Sequence, residues 1–205
     1  MLPVKSKYKI AKRLGPAVFE KTQSQKFALS QARSQRERRR GGRGGSDYGR
    51  QLLEKQKLRY TYGLSERQLS NYVAKAVGEA SPTDALHAAL EMRIDNAVYR
   101  AGFVSTRRAA RQAVSHGHIC INGRRTTTPS AALSVGDALT VREGSRKSPL
   151  FAHLSEPVEA AEARTPPAWL SVDAPLMKAE VTSMPTHDAT DASLDYQTVF
   201  EFYSR

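Results

Sequence analysis

The chain has 205 residues, which is enough for one large domain or two small ones. Its 32 lysines and arginines against 20 acidic residues give a net charge of +12, an excess that indicates a nucleic acid as partner. A hydrophobic fraction of 40% excludes wholesale disorder, the single Cys120 excludes a disulfide framework or a multi-cysteine zinc site, and no apolar run reaches the ~18 residues of a membrane span.

The positive charge is concentrated towards the N-terminus. Residues 1–80 carry 19 basic against 6 acidic residues, whereas residues 151–205 carry 3 against 9. The densest run, Arg33–Arg43, holds six arginines and one glutamate and ends among glycines. This density predicts an extended basic arm over residues 1–45. The arm is either a solvated tail or a segment that becomes ordered against phosphates, and the charge of the remaining chain favours the second reading.

Three helical signals follow the arm. Ser46 is a suitable N-cap and Gly63 a suitable stop for a first helix, and Ser65 with Gln68 forms a capping box for a second, amphipathic one. A further helical stretch covers residues 82–101, with a break near Ile94.

The next helix is predicted to begin after an N-cap at Thr106. Its first two turns contain Arg107, Arg108 and Arg111. Positive charges are unfavourable at the N-terminal end of a helix, which is the positive end of its dipole, so these arginines need a partner outside the helix. The helix start and these arginines together predict a phosphate-binding site. Replacing Arg107 and Arg111 by glutamine is accordingly predicted to weaken RNA binding while the protein stays folded.

After Gly117 the hydrophobic period changes from 3.6 to 2, which indicates strands. Asn122-Gly123 predicts a tight hairpin turn in which Gly123 has a positive φ, and Arg124 and Arg125 follow it directly. A last strand is predicted over residues 138–142. The order helix, helix, hairpin, strand predicts a small α+β unit with basic groups at the helix start and at the hairpin.

Residues 93–143, RIDNAVYRAGFVSTRRAARQAVSHGHICINGRRTTTPSAALSVGDALTVRE, resemble the small RNA-binding module first described in ribosomal protein four of the small subunit. The same module occurs in pseudouridine synthases, tyrosyl-tRNA synthetases and a heat-shock ribosome-rescue protein. The segment SDYGRQLLEKQKLRYTYGLSERQL (46–69) is similar to the ribosomal protein and not to those enzymes. KYKIAKRLG (7–15), TPPAWLSVD (165–173) and the C-terminal VFEFYSR, which resembles the last strand of that family, extend the resemblance over nearly the whole chain.

The resemblance implies an α+β fold with three parts. A mainly helical domain of residues 46–92 and 151–205 receives the small RNA-binding module, residues 93–150, as an insertion of two helices packed on a short antiparallel sheet. Residues 1–45 form the extended basic N-terminal arm. The cysteine cluster that binds a metal in some family members is absent, so we expect no metal and no cofactor.

The resemblance also implies the function and the partners. We expect a structural constituent of the small ribosomal subunit, not an enzyme, that binds a multi-helix junction in the 5′ domain of small-subunit rRNA, nucleates assembly and supports translational accuracy. The expected partners are this rRNA, mRNA near the entry channel, and small-subunit proteins five and, as a further candidate, twelve, with no membrane. No export signal is recognisable, so the expected location is the cytoplasm, in the small ribosomal subunit.

The candidate RNA-binding residues are basic, aromatic or turn-forming groups from all three parts. They are Lys12, Arg13, Arg33, Arg36, Arg38, Arg39, Arg40, Arg43, Tyr48, Arg50, Lys55, Lys57, Arg59, Tyr62, Arg67, Thr106, Arg107, Arg108, Arg111, His116, Asn122, Gly123, Arg124 and Arg125.

Two alternatives to a permanent ribosomal component stay open. Arg93-Ile94-Asp95 is similar to the motif that carries the catalytic aspartate of pseudouridine synthases, although a buried helix-capping or salt-bridging role for Asp95 is favoured. A ribosome-associated RNA-binding factor carrying the same module is the other alternative. His116, His118 and Cys120 alternate as metal ligands do, but a closed site needs more neighbours.

Overall fold

A computed structural model describes residue 4 and residues 6–38, 46–154, 165–187 and 194–205, with the backbone alone for 34–38. The helices in this part of the chain are α1 (Lys7–Leu14), α2 (Gln25–Arg38), α3 (Asp47–Thr61), α4 (Glu66–Ala76), α5 (Pro82–Glu91), α6 (Ile94–Arg100), α7 (Arg107–Ser115) and α8 (Tyr196–Tyr203). The strands are β1 (Ile119–Ile121), β2 (Arg124–Thr126), β3 (Ala138–Val141), β4 (Leu170–Asp173) and β5 (Lys178–Val181). The α+β class is therefore confirmed.

The local start and stop signals act as predicted. The Ser46 hydroxyl accepts from the Gly49 N–H at 3.2 Å, and Ser65 and Gln68 form both hydrogen bonds of the capping box. Gly63, just beyond α3, has a φ of +64°. The predicted break near Ile94 is the gap between α5 and α6.

The N-terminal residues correct the prediction of an extended arm. Residues 7–14 and 25–38 are helical, and Ala11, Val18, Phe19 and Phe27 form a small buried apolar cluster. The run Gln25–Arg38 contains no glycine or proline, and arginine and glutamine are good helix formers, so charge density alone does not prevent a helix there. The remainder of the arginine-rich run, residues 39–45, lies outside the described residues.

The described residues form two compact units. The first consists of the described residues up to Leu86 together with those from His187 onward, and the second of those from His87 to Thr186. In the first unit α8 packs on α3, with the hydroxyls of Tyr62 and Tyr196 3.5 Å apart. The C-terminal segment is thus a helix and not the strand that the resemblance suggested, because Asp195 caps it by accepting from the Thr198 N–H at 3.0 Å.

The second unit is built on a five-stranded antiparallel sheet in the order β2-β1-β3-β5-β4. Helices α6 and α7 contact each other, and a core that includes Ile94, Phe103, Val114, Ile119 and Leu139 joins the helices to the sheet.

Strands β4 and β5 place residues 170–181 in the same sheet as the module. β5 pairs with β3 through Leu139 opposite Ala179, and β4 completes the edge. The sequence assigned these residues to the helical domain, so the compact units divide the chain differently from the predicted domains. The cause is the exposed edge of β3, whose backbone groups need a hydrogen-bonding neighbour.

Candidate nucleic-acid interface

The start of α7 carries the strongest predicted site. Thr106 caps the helix as predicted, its hydroxyl accepting from the Ala109 N–H at 3.1 Å. Arg108 is exposed to solvent. Arg107 and Arg111 are directed inward instead: Arg107 Nε donates to Asn96 Oδ1 at 2.9 Å, and Arg111 Nη1 lies 3.4 Å from Asp95 Oδ2. The partner that these two arginines require is therefore supplied by α6 within the module, and their binding to phosphate stays a prediction.

Asp95 is the centre of a buried charge network. The Arg93 guanidinium, 1% exposed, donates to both carboxylate oxygens of Asp95 at 3.0 and 2.7 Å, and Arg111 approaches the second of them. A neighbouring pair joins Arg100 to the buried Glu91 through two hydrogen bonds of 2.7 and 2.9 Å. The favoured salt-bridging role of Asp95 is thus what the structure shows, and this carboxylate is occupied by structural contacts.

The hairpin turn between β1 and β2 has the predicted conformation. Asn122 and Gly123 have φ values of +49° and +79°, as a two-residue type I′ turn requires. The Asn122 side chain is bonded to the start of β3, donating to Asp137 Oδ1 at 2.8 Å and accepting from the Ala138 N–H at 2.9 Å. Arg124 is exposed, so this arginine is available to an external anion.

Arg125 lies across the end of α7. Its Nη2 donates to the His116 carbonyl oxygen at 3.2 Å, and its guanidinium covers Gly117 so closely that a Cβ there would lie 2.1 Å from Nε. Gly117 also has a φ of +73°. Glycine is required here because the backbone has a positive φ and because the Arg125 guanidinium leaves no room for a Cβ. The positive φ also explains why the helix ends here.

Replacing Gly117 by alanine is expected to cost about 1–2 kcal/mol of unfolding free energy from the positive φ, and to push Arg125 off the His116 carbonyl. Gly63→Ala is the matched control, since Gly63 also has a positive φ but a Cβ placed there would meet nothing within 4 Å. Denaturant unfolding of both variants should give similar losses, while RNA titration should show weaker binding for Gly117→Ala alone. Equal affinities would contradict a role for the Arg125 position.

Two of the predicted RNA-binding side chains in α3 and the turn after it are inside the first unit. Lys55 is 6% and Tyr62 7% exposed, which removes both from the candidate surface. Lys55 Nζ lies 2.7 Å from Glu66 Oε1 and 4.2 Å from the centre of the Phe202 ring. Arg59 bonds the same glutamate at 3.1 Å.

The Glu66 cluster shifts two pKa values. Burial alone would raise the pKa of Glu66, but hydrogen bonds from Lys55 and Tyr203 and the charges of Lys55 and Arg59 outweigh it and leave the pKa lowered. Burial, and then the hydrogen bond to Glu66, raises the pKa of Tyr203.

Stability of the first unit should therefore fall at both extremes of pH. A lowered carboxyl pKa contributes stability above its ordinary value of 4.5, and this contribution is lost as pH falls through the lowered pKa. A raised tyrosine pKa contributes stability below 10.0, which is lost as pH rises beyond that value. Thermal melts from pH 3 to pH 11 should show a smaller acid loss for Glu66→Gln and a smaller alkaline loss for Tyr203→Phe than for the parent chain. Parallel curves would contradict these assignments.

The other predicted residues of the first unit lie nearer the surface. Lys57 contacts Glu54 at 3.4 Å, and Lys12 is half-buried. Tyr48, 51% exposed, lies 5.8 Å from the ring of Phe202. Exposed basic side chains are presented by Arg13, Arg33, Arg50 and Arg67. The side chains of Arg36 and Arg38, and all of Arg39, Arg40 and Arg43, lie outside the described residues.

His116 is exposed, and the same unit contains exposed basic residues that the sequence did not single out. Arg142, Arg146 and Lys147 are exposed directly after β3. Their signal in the sequence was the segment VREGSRK, in which Arg142 ends the predicted strand and Arg146 and Lys147 lie just beyond it. Among the described residues no group of three or more His, Cys, Asp or Glu forms a metal site, and no helix has the length and apolar character needed to cross a membrane.

Comparison with known families agrees with this architecture. Residues 92–139 match the S4 domain, which spans the two helices and the hairpin, and residues 4–91 match the ribosomal protein S4/S9 N-terminal domain. The chain is thus of the class of proteins that carry this RNA-binding module.

Relatives identify the family. Small ribosomal subunit protein uS4 of Herpetosiphon aurantiacus is 47% identical over 161 residues, which are 78% of this chain and 76% of the relative. The protein of the same name from Roseiflexus sp. is 41% identical over 202 residues, 96% of each chain, and that of Borrelia turicatae is 38% identical over 202 residues, 98% of this chain and 96% of the relative. The chain belongs to the family of small ribosomal subunit protein uS4. The predicted resemblance and the predicted place in the small ribosomal subunit are confirmed, and the relatives carry the name of a ribosomal protein and not of an enzyme.

Proposed function

We propose that this protein binds a multi-helix junction in the 5′ domain of small-subunit rRNA, nucleates assembly of the cytoplasmic subunit there, and supports translational accuracy beside the mRNA entry channel. The observation that carries the proposal is that the arginines of the module form two groups, one bonded to partners within the protein and the other exposed to solvent. Arg93, Arg100, Arg107 and Arg111 are engaged by buried or half-buried partners, whereas Arg108 and Arg124 are exposed and form no ion pair within the described chain.

This arrangement suits a folded RNA junction. Buried ion pairs fix the shape of the module, and the exposed guanidinium groups supply phosphate contacts whose positions follow that shape. Further exposed cations in the first unit, such as Arg13, Arg50 and Arg67, supply contacts to other RNA segments. Candidates for the message near the entry channel are the arginines of the predicted arm.

The test is a filter-binding titration of the full chain on a transcript of the 5′-domain junction. The variant Arg108→Gln with Arg124→Gln should keep its thermal melt but lose affinity by about 1.5–3 kcal/mol for each charged hydrogen bond removed. The log–log salt slope should flatten by about 0.7–0.9 for each phosphate that is no longer neutralised. Unchanged affinity and slope would place the RNA surface elsewhere.

The same titration examines the arginine-rich run. Replacing Arg38, Arg39 and Arg40 by alanine should weaken binding and flatten the slope in the same manner, whereas an unchanged slope would mean that the run is a solvated tail.

A permanent place in the subunit is tested by salt washing. We expect the protein to copurify with small subunits at salt that keeps other primary rRNA binders attached, and to crosslink there to small-subunit protein five and, as the further candidate, protein twelve. Complete loss at that salt would favour a visiting factor instead.

A further inference from the structure

Five basic side chains gather where α7 meets the sheet, at the end of the helix away from Arg108. His116 and His118 occupy the turn from α7 into β1, Arg125 comes from β2, and Arg142 and Arg146 follow β3. We name these five residues the histidine patch. Of the five, His116 and Arg125 were predicted to bind RNA, and His118 was noted only as a possible metal ligand. None of the buried ion pairs among the described residues of the module uses a member of the patch.

Backbone contacts hold the patch together. Arg125 Nη2 donates to the His116 carbonyl oxygen at 3.2 Å, and the Arg142 N–H donates to the His118 carbonyl oxygen at 2.8 Å. The His118 ring contacts Ser145 Oγ through Nδ1 at 2.9 Å, and Arg146 Nε donates to the Val141 carbonyl oxygen at 3.3 Å. The three chain segments are therefore in fixed register, and His118 is surrounded by cations from each of them.

The charge of the patch is not neutralised inside the protein. In the part of the chain that the structure describes, Arg125, Arg142 and Arg146 form no ion pair with a carboxylate. Glu143, exposed and next to Arg142 in sequence, is the nearest acidic residue along the chain. Burial first, and then His116, Arg142 and Arg125, lower the pKa of His118. Clustered like charges repel one another, so binding of an external anion stabilises this arrangement.

We propose that the histidine patch is a second phosphate-binding site of the module, at which the RNA backbone binds together with a proton taken up by His118. This inference rests on the proposed function, because it concerns where and how the same module binds RNA. A phosphodiester beside the guanidinium groups cancels the repulsion that disfavours the charged form of the His118 ring, so the bound state favours the protonated His118.

RNA is favoured over an acidic protein surface because the cations of the module are spread beyond the patch. Arg108 and Arg124 are exposed on the same module, and a continuous polyanion meets successive cations with regularly spaced phosphates. Exposed guanidinium groups also match the paired oxygens of a phosphate.

The proton count provides the test. The full chain is titrated calorimetrically at pH 6.5 with polyuridylate, which has no group that titrates near this pH, and with the 5′-domain junction transcript, each in two buffers of different ionisation enthalpy. We expect the uptake of about half to one proton per bound site, and an affinity that rises about three- to tenfold from pH 8 to pH 6.

Variants separate the patch from the rest of the module. His116→Gln with His118→Gln should abolish the proton uptake, and Arg108→Gln, the matched control, should lower affinity but keep the uptake. If loss of the His118–Ser145 hydrogen bond unfolds the double variant, His116→Gln alone serves, because His116 is exposed. The charge of His116 is one of those that lower the pKa of His118, so its removal should reduce the uptake.

The outcomes distinguish the possible failures. Binding without proton uptake in the parent chain, or uptake unchanged in the histidine variants, would overturn the proposal while leaving the proposed function intact. Failure to bind the junction, with proton-linked binding of polyuridylate retained, would overturn the proposed function and support the patch. Proton-linked binding of polyglutamate in place of either RNA would assign the patch to an acidic protein and overturn it as an RNA site.

Discussion

Replacing Asp95 by asparagine is expected to lower the free energy of unfolding of the second unit by about 3–5 kcal/mol. The substitution removes the carboxylate that neutralises Arg93, which is 1% exposed, and that also contacts Arg111 at 3.4 Å. A buried charge that has lost its counter-charge is among the most costly changes in a folded protein. Denaturant unfolding followed by the fluorescence of the buried Trp169, which belongs to the same unit, measures the loss.

Two further variants control this expectation. Glu143→Gln removes an exposed acid of the same unit and should change the unfolding free energy by less than about 0.5 kcal/mol. The double variant Asp95→Leu with Arg93→Met should lose less stability than Asp95→Leu alone, because it removes both charges and leaves no buried Arg93 guanidinium without its carboxylate. If the double variant has the lower free energy of unfolding of the two, the ion pair does not have the energetic role assigned to it.

Replacing Arg107 and Arg111 by glutamine is expected to cost about 2–4 kcal/mol of stability, in contrast to the folded, RNA-deficient protein that the sequence predicted. Arg107 donates to Asn96 and places its guanidinium 4.3 Å from the centre of the Tyr99 ring, so its removal eliminates a charged hydrogen bond and a cation–π interaction. Arg111 no longer approaches Asp95 in this variant. Thermal melts show the effect as a lower midpoint.

The pair Arg108→Gln with Arg124→Gln is the natural comparison, since it removes the same charge from exposed positions of the same module. Its melt should match that of the parent chain while its RNA affinity falls. Should the melts of the two double variants coincide, the inward direction of Arg107 and Arg111 would have no energetic consequence.

The predictions that the structure confirms depend on local sequence signals. The caps at Ser46, Ser65 and Thr106 and the Asn122-Gly123 turn depend on residues within four positions of one another, so the sequence displays them directly.

The features that the sequence did not predict depend on contacts between residues that are far apart in the chain. The pairing of β5 with β3 joins segments about 40 residues apart, and no local pattern announces it. The direction of Arg107 likewise depends on Asn96, which reaches it only through the packing of α6 on α7. The helical spacing correctly placed Arg107 and Arg111 on one face, but an arginine on a helix is equally suited to an RNA phosphate and to a buried amide or carboxylate. Only the fold decides between them.

The packing of α8 on α3 has a consequence for the order in which the nascent chain folds. The first unit is completed by contacts such as Gln51 Nε2 to Glu201 Oε2 at 3.0 Å, between residues 150 positions apart, whereas the second unit consists of described residues from one uninterrupted stretch of sequence. At a synthesis rate of roughly 5–20 residues per second, the last partner of α3 is translated about 7–30 s after α3 itself. The described residues of the second unit are all translated before α8, so the contacts that complete the first unit are the last for which both partners exist in the nascent chain.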